Sequence, residues 1–511
     1  MNRPLTVICL PLAAAFFVNL LLTALGIAQN QPAQKAKTPQ SGAAITHEQA
    51  GQIPDPAPFT TKDGKKKGWK VVIPENRPLA TPAVVGGKVF VGGGFGSHEF
   101  YALDASTGKL AWRYQTNDDG PTAAVVQDGY VAFNTESCEI EILALDGKPV
   151  WKKWLGDPLM SMPAISSGKL YMAYPDSNGD HQHYLACFEL KTGKQFWKKP
   201  IAGEIITAPV VADEKVYLAT LEGTLYCFGQ HDGELIWREK KNATSSPVVW
   251  NNQCYFSRRE ETTVSKNGKA EKQQNEQLAA RGTGAKAQVK DLKETTRVAD
   301  YLDYAKRSSS PEERMSQMQD GQVGFGSFGG GGFGGGGLGL GGLGGAPPKG
   351  DAKIGQAMGN LGQASVHSVW AYQGSKPFVY KGRIYSAMGD TLKCVDGKTD
   401  KILWKKTIGR IKEKDPAKLV LNSLLTPPAL VNGKVFLATS SGEVHCLAAE
   451  SGEELWSAGI GEPIAFQPAV AKGRIYLPTN SGHLYCLETG DPKDDGWLMW
   501  GASASHDGVA K

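Results

Sequence analysis

Few residues of this chain stand at spacings that do chemistry. His181-Gln182-His183 sets two imidazoles two residues apart, on one side of the backbone if the segment is a strand. They could contribute two metal ligands, but no third accompanies them, and they read as a loop pair. Gly324-Phe325-Gly326-Ser327-Phe328-Gly329 spells a dinucleotide fingerprint. It follows no strand, opens no helix, and lies in a glycine tract that matches by chance. No Gly-x-Ser-x-Gly stands between a strand and a helix, as a nucleophile elbow requires. Carboxylates that could act as bases, such as Glu222 and Glu443, fall in turns of a kind the chain repeats throughout. No residue is assigned as catalytic or metal-binding, and none is mapped to a cofactor.

The elements around these residues are more informative. Tyr101-Ala102-Leu103-Asp104-Ala105-Ser106-Thr107-Gly108-Lys109-Leu110-Ala111-Trp112 recurs in skeleton at Cys187…Trp197, Cys227…Trp237, Cys394…Trp404 and Cys446…Trp456. In all five the position of Asp104 lies eight residues before the Trp, and Asp146…Trp151 is a copy with its turn shortened by three. Each repeat opens on a Pro, then a short apolar run, a Gly- or Asn-bearing turn and a second run, as in Pro82-Ala83-Val84-Val85-Gly86-Gly87-Lys88-Val89-Phe90-Val91. The openings are Pro82, Pro121, Pro163, Pro209, Pro247, Pro377, Pro427 and Pro468, most of them 38 to 50 residues apart. β-Branched and aromatic runs between glycine turns predict strands. A period of this size predicts one four-stranded propeller blade per repeat.

The Ala-x-Asp-x-x-Thr-Gly-x-x-x-Trp pattern resembles the tryptophan-docking motif of pyrroloquinoline quinone (PQQ) repeats. That family includes eight-bladed quinoprotein dehydrogenases and the non-catalytic outer-membrane assembly propeller BamB. The resemblance covers about residues 69 to 500 apart from one insertion. It implies an all-β fold, an eight-bladed β-propeller of four-stranded antiparallel blades. It gives a blade-docking role to Trp112, Trp151, Trp197, Trp237, Trp370, Trp404 and Trp456. Dehydrogenase members hold the quinone with a metal ion in the central funnel, use an Asp as base and often carry a vicinal disulfide. This sequence has no adjacent cysteines and no Cys-x-x-Cys-His for a haem. The expected function is therefore a non-catalytic scaffold for a protein or peptide partner at the cell envelope. The alternative is a PQQ-dependent alcohol or sugar dehydrogenase, with PQQ and Ca²⁺ as its cofactors.

Residues 1 to 28 read as a signal peptide: Arg3, an apolar run from Val7 to Ala24, and small residues at Gly26-Ile27-Ala28. Cleavage after Ala28 sends the chain to the periplasm or envelope, and an uncleaved anchor is the alternative. Residues 29 to 60 read as a disordered linker, and Lys65-Lys66-Lys67 as a solvated loop. Trp69-Lys70-Val71-Val72-Ile73 reads as the outer strand of a blade completed by the last repeat, which would close the ring within 61–511. Trp497-Leu498-Met499-Trp500 competes for that place. The interval from Pro247 to Pro377 predicts a low-complexity insertion over 258–365, with one amphipathic helix around Val289 to Lys306 and the blade resuming at Trp370. A net charge of +5 over 511 residues does not argue for nucleic acid, and a monomer is expected. Of eight cysteines, Cys187, Cys227, Cys394, Cys446 and Cys486 share one repeat position, a small buried slot that needs no disulfide. Pairing of Cys138 with Cys254 stays open.

Overall fold

The structure, a computed structural model, describes residues 44–45, 53–94, 96–135, 138–156, 161–175, 183–202, 207–220, 223–266, 269–297, 377–388, 390–408 and 425–510. The signal segment, His181, Glu222, the glycine tract and Trp370 lie outside these residues.

The described chain forms eight sheets, the four-stranded antiparallel blades of an eight-bladed β-propeller, one of them extended by a short parallel strand, Val509–Ala510, with one 3₁₀ turn at Pro74–Asn76. Blade 1 shows the plan. A three-residue inner strand, Ala83–Val85, turns through Gly86 and Gly87 into Lys88–Gly92; Glu99–Asp104 and the outer strand Leu110–Gln115 follow. Both turn glycines have positive φ, 60° and 76°, as a two-residue hairpin turn demands. The inner strands of blades 2, 3 and 4 are Val125–Gln127, Ala164–Ser166 and Val210–Ala212. Those of blades 5 to 8 are Val248–Trp250, Phe378–Tyr380, Ala429–Val431 and Ala469–Ala471. Neighbouring inner strands touch around the ring, so their free edges face the axis. Apolar faces meet between blades, and the core is a series of interblade layers rather than one centre.

Lys67–Val72 pairs antiparallel with His483–Glu488 and supplies the outer strand of blade 8, with Trp69 opposite Cys486. The last repeat is thus completed from the N-terminal side, and Trp497–Trp500 does not take that place. Residues 497–510 run instead along the axis. Main-chain N–H groups of Val84, Ile165, Val211, Val379 and Val470 donate to the carbonyls of Leu498, Ala504, Ser505, Gly508 and Trp497, at 2.7 to 2.9 Å. Inner edges of five blades, which would otherwise present unpaired groups, are met by one segment. Trp497, Trp500 and His506 are almost fully buried in it.

Three expectations are corrected. Blade 5 does not break off at 258: Gln253–Lys266 and Lys269–Gly282 form a long hairpin, and Val289–Arg297 is its outer strand. Val289 to Arg297 is therefore strand and not helix, because pairing with the edge of Lys269–Gly282 overrides its weak amphipathic period. Within the expected linker, Ala44–Ile45 pairs with the outer strand of blade 1 and Ala57–Thr60 with that of blade 8. The reason is the same, a free strand edge that accepts any extended neighbour. Cys138 and Cys254 are buried thiols in blades 2 and 5, and no disulfide links the described cysteines.

Candidate functional site

Tryptophans stitch the blades together by one geometry. Most sit on an outer strand opposite a small residue, as Trp197 opposite Cys187 and Trp112 opposite Ala102, while Trp151 stands opposite Ile142, and they reach the turn of the next blade. Trp112 lies on Gly147 and its Nε1–H donates to Leu145 O at 3.0 Å. Trp151 lies on Gly193 and donates to Leu190 O, Trp197 lies on Gly233 and donates to Gln230 O, and Trp404 lies on Gly452 and donates to Ala449 O. A Cβ on Gly147 would meet the Trp112 ring at 2.7 Å, and its φ is +86°. Glycine is required there twice over. Trp237 donates to Thr283 O and is capped by the Arg281 guanidinium, 3.7 Å from the ring. Trp456 carries the Lys66 ammonium 4.1 Å over its ring, while Lys66 Nζ donates to Thr489 O. Trp69, missing from the sequence-based docking set, lies on Gly108 and occupies the same place at the ring's seam.

Trp370 lies outside the described residues, and the docking position of the outer strand of blade 5 is held by Lys290, opposite Ala280. Lys290 pairs with Asp400 of blade 6, and Asp400 stands where the other turns carry glycine. Both partners of the Trp–Gly contact have changed together. Trp250 fills in from the inner strand, its ring packed on Gly382 and Gly397.

One buried and one half-buried polar group were invisible in the sequence. Glu141 of blade 2 accepts a 2.5 Å hydrogen bond from Tyr114 of blade 1, and its second oxygen has no partner. Burial pushes its carboxyl up to about 7. At the seam Glu462 accepts from Lys70, Tyr485, His483 and Thr479. Burial raises that carboxyl, but the bonds from Tyr485, Lys70 and His483 hold it below its ordinary value. The cluster contains a carboxylate-oriented imidazole, as a general base requires, yet its carboxylate is saturated by blade-joining contacts. Hydroxyls that precede the inner strands were also missed: Thr207 Oγ1 bonds both N–H and C=O of Ala219, and Thr426 Oγ1 accepts from Ala438 N. Among the described residues no cluster of three His, Cys, Asp or Glu could hold a metal, and no helix is long and apolar enough to cross a membrane. His183 starts a strand of blade 3, and Glu443 is an exposed strand end beside His445.

The outer rim differs from these sealed regions. Val150, Trp154, Phe196, Leu235, Leu403 and Leu455 are large apolar residues exposed on the outer strands of blades 2, 3, 4, 6 and 7. Among the described residues those strands end their sheets, whereas the outer edges of blades 1 and 8 carry the added strands Ala44–Ile45 and Ala57–Thr60.

A family model described as outer membrane protein assembly factor BamB matches residues 59–146, 139–310 and 388–508. The chain belongs to this BamB-type PQQ-repeat family. No curated protein matches it in sequence. Among solved structures, BamB from Moraxella catarrhalis aligns at 12% identity and TM-score 0.49, covering 84% of this chain and all of that one. The computationally designed Ika8 protein aligns at 11% and 0.51, over 81% of this chain and 97% of that one. Quinohemoprotein alcohol dehydrogenase from Comamonas testosteroni aligns at 12% and 0.50, over 83% and 76%. At these identities the likeness is one of fold. The BamB-type repeat model spans the tryptophan-docked blades, including blade 5 with its Lys290 outer strand.

Proposed function

We propose that this protein is an exported, non-catalytic scaffold of the cell envelope that binds extended segments of a protein partner along its rim. One observation carries the reading. Two outer edges already accept antiparallel strands from the chain's own N-terminal side, while among the described residues five others end their sheets beside exposed apolar side chains. A sheet edge offers main-chain hydrogen bonds to any extended peptide, and the side chains beside it select which one. Membership of a family named for outer-membrane protein assembly supports the envelope location and a polypeptide partner.

The dehydrogenase alternative needs a funnel that receives a quinone and its metal. Around the axis the inner edges of blades 1, 3, 4, 6 and 8 are bonded to residues 497–510. Both ring nitrogens of His506 are engaged, by Trp500 O at 2.8 Å and Pro163 O at 2.9 Å. A tricarboxylate quinone needs cations and metal ligands; the segment at this axis, residues 497–510, has no Lys or Arg, and its Asp507 accepts a hydrogen bond from Ser503 at 2.8 Å. Without a cation of its own, this segment does not fit the group.

The test has two arms. Photo-crosslinkers placed at Phe196 and Leu403 in the full chain, expressed in its native host, should trap polypeptide partners, and Leu235→Lys with Leu455→Lys on the neighbouring blades 4 and 7 should reduce those adducts. PQQ with Ca²⁺ added to the purified protein should leave no bound quinone absorbance. Stoichiometric quinone binding with dye-linked alcohol oxidation overturns the scaffold reading.

A further inference from the structure

The two edges that already carry a strand show how a rim edge is filled. In blade 3 the outer strand passes over one residue, Phe196, before Trp197, and in blade 6 it passes over Leu403 before Trp404. Blade 1 has the same bulge at Ala111, and its added strand pairs only beyond the tryptophan, with Arg113 and Tyr114. Blade 8 has no slip at Trp69, and its added strand runs across the tryptophan from Lys67 to Lys70. A bulge bends the strand and interrupts its ladder, so a bulged edge takes a strand on the residues after the tryptophan. In blades 3 and 6 those residues are Lys198-Lys199 and Lys405-Lys406. Their neighbours on the adjoining strand are Ala186 and Leu185, and Lys393 and Leu392, none a carboxylate. Blade 2 also has a lysine pair, but Lys152 stands opposite Glu141 and bonds Glu139 at 3.2 Å. At the filled edges the cations are likewise answered within the ring, Arg113 by Glu99 and Lys70 by Glu462, and uncharged Ile45 and Ala57 stand opposite them.

We propose, on the basis of the rim-binding reading, that the edges of blades 3 and 6 bind a short acidic extended segment of the partner polypeptide, its carboxylates opposite Lys198-Lys199 or Lys405-Lys406 and an apolar side chain against Phe196 or Leu403. Opposite charges facing each other across two strands favour the pairing, and like charges oppose it. A basic segment is thereby rejected as well as an acidic one selected. Lys199 already meets Glu234 of blade 4 at 3.1 Å, and Lys198 lies over the Tyr184 ring at 3.8 Å. Neither contact uses up an ammonium, which has three donors, and Glu234 is 73% exposed, so its hold is weak. Phe196 and Leu403, exposed to 47% and 44%, offer the apolar contact beside these charges.

The probe is a dye-labelled peptide, Gly-Val-Glu-Val-Glu-Val-Gly, titrated into the full chain by fluorescence anisotropy, with glutamine or lysine in place of both glutamates as neutral and basic controls. The acidic peptide should bind roughly fivefold or more tighter than the neutral one, and the basic one weakest. That preference should shrink as salt is added. Lys198→Gln, Lys199→Gln, Lys405→Gln and Lys406→Gln together should remove the preference and leave the neutral peptide's affinity unchanged, whereas arginine at the same positions should keep it. Equal binding of the acidic and neutral peptides overturns the proposal and leaves the rim-binding reading standing. So does a preference that survives in the glutamine variant. Absence of binding by all three peptides would show that the lysines guard these edges against pairing, and overturns it too; the crosslinks at Phe196 and Leu403 judge the rim-binding reading separately.

Discussion

Glu141 is a carboxyl that burial carries well away from its free state. Its carboxyl ordinarily titrates near 4.5 and burial lifts it to about 7. The native state therefore holds a proton that the unfolded chain releases, and native stability falls as pH rises from about 4.5 through 7. The loss amounts to roughly 3 kcal/mol once both states are ionised. Glu141→Gln keeps an acceptor for Tyr114 and removes the ionisation, so its melting temperature should exceed the wild-type value at pH 8 and approach it at pH 5. A wild-type melting temperature that rises between pH 5 and 8 relative to the variant contradicts the assignment. Nothing in Glu139-Ile140-Glu141-Ile142 announces this group, because alternation in a strand places such glutamates towards water. It is the neighbouring blade's Tyr114 that buries it. The docking tryptophans were legible for the opposite reason: the phrase that carries indole and turn glycine repeats along the chain, and the Trp of one copy meets the turn glycine of the next in four of the junctions described above, besides Trp69 on Gly108 at the seam.

Blade 5 shows where a repeated phrase stops being a guide. Its outer strand carries Lys290 in place of tryptophan, and its hairpin extends through polar residues such as Lys269-Ala270-Glu271-Lys272. Without the docking phrase and with little apolar alternation, sequence alone assigns the stretch to an insertion. Trp250 performs the packing instead, and Trp250→Ala should destabilise the protein by roughly 3 kcal/mol in denaturant titration. Lys290→Ala should cost under about 1 kcal/mol, since its ammonium is largely exposed. The axial segment was likewise read only as a rival outer strand, since a tail that bonds to five inner strands has no period of its own. Removing residues 497–511 should speed amide exchange at Val84, Ile165, Val211, Val379 and Val470, whose N–H groups it accepts. Unchanged protection at these five amides would count against the axial placement.

Ring closure governs the molecule as a whole. The eight-blade count and the pairing of Trp69 with the last repeat were legible because the openings are evenly phrased and Trp69 stands at the usual distance before one of them. The seam leaves no room: a Cβ on Gly68 would fall 1.8 Å from the Cys486 carbonyl oxygen. Gly68→Val should prise Lys67–Val72 from His483–Glu488 and reopen two edges. The buried thiols report the result, because burial pushes Cys227, Cys446 and Cys486 up to about 12 and Cys187 and Cys394 to about 11. Thiols held protonated and shielded react slowly. Alkylation by iodoacetamide at neutral pH should be negligible in the closed ring and fast at Cys486 in Gly68→Val. Equal rates in the two proteins would show that the seam is not what seals that blade.

The seam also fixes an order of events during synthesis. Lys67–Val72 leaves the ribosome before any complete blade exists, and its partner strand His483–Glu488 is among the later residues made. The axial residues follow all eight blades. A nascent chain therefore carries an unpaired leading strand and uncovered inner edges for nearly the whole of its translation. Such edges pair with whatever is near, so emergence of the axial residues, rather than the growth of each blade, decides when these edges are covered.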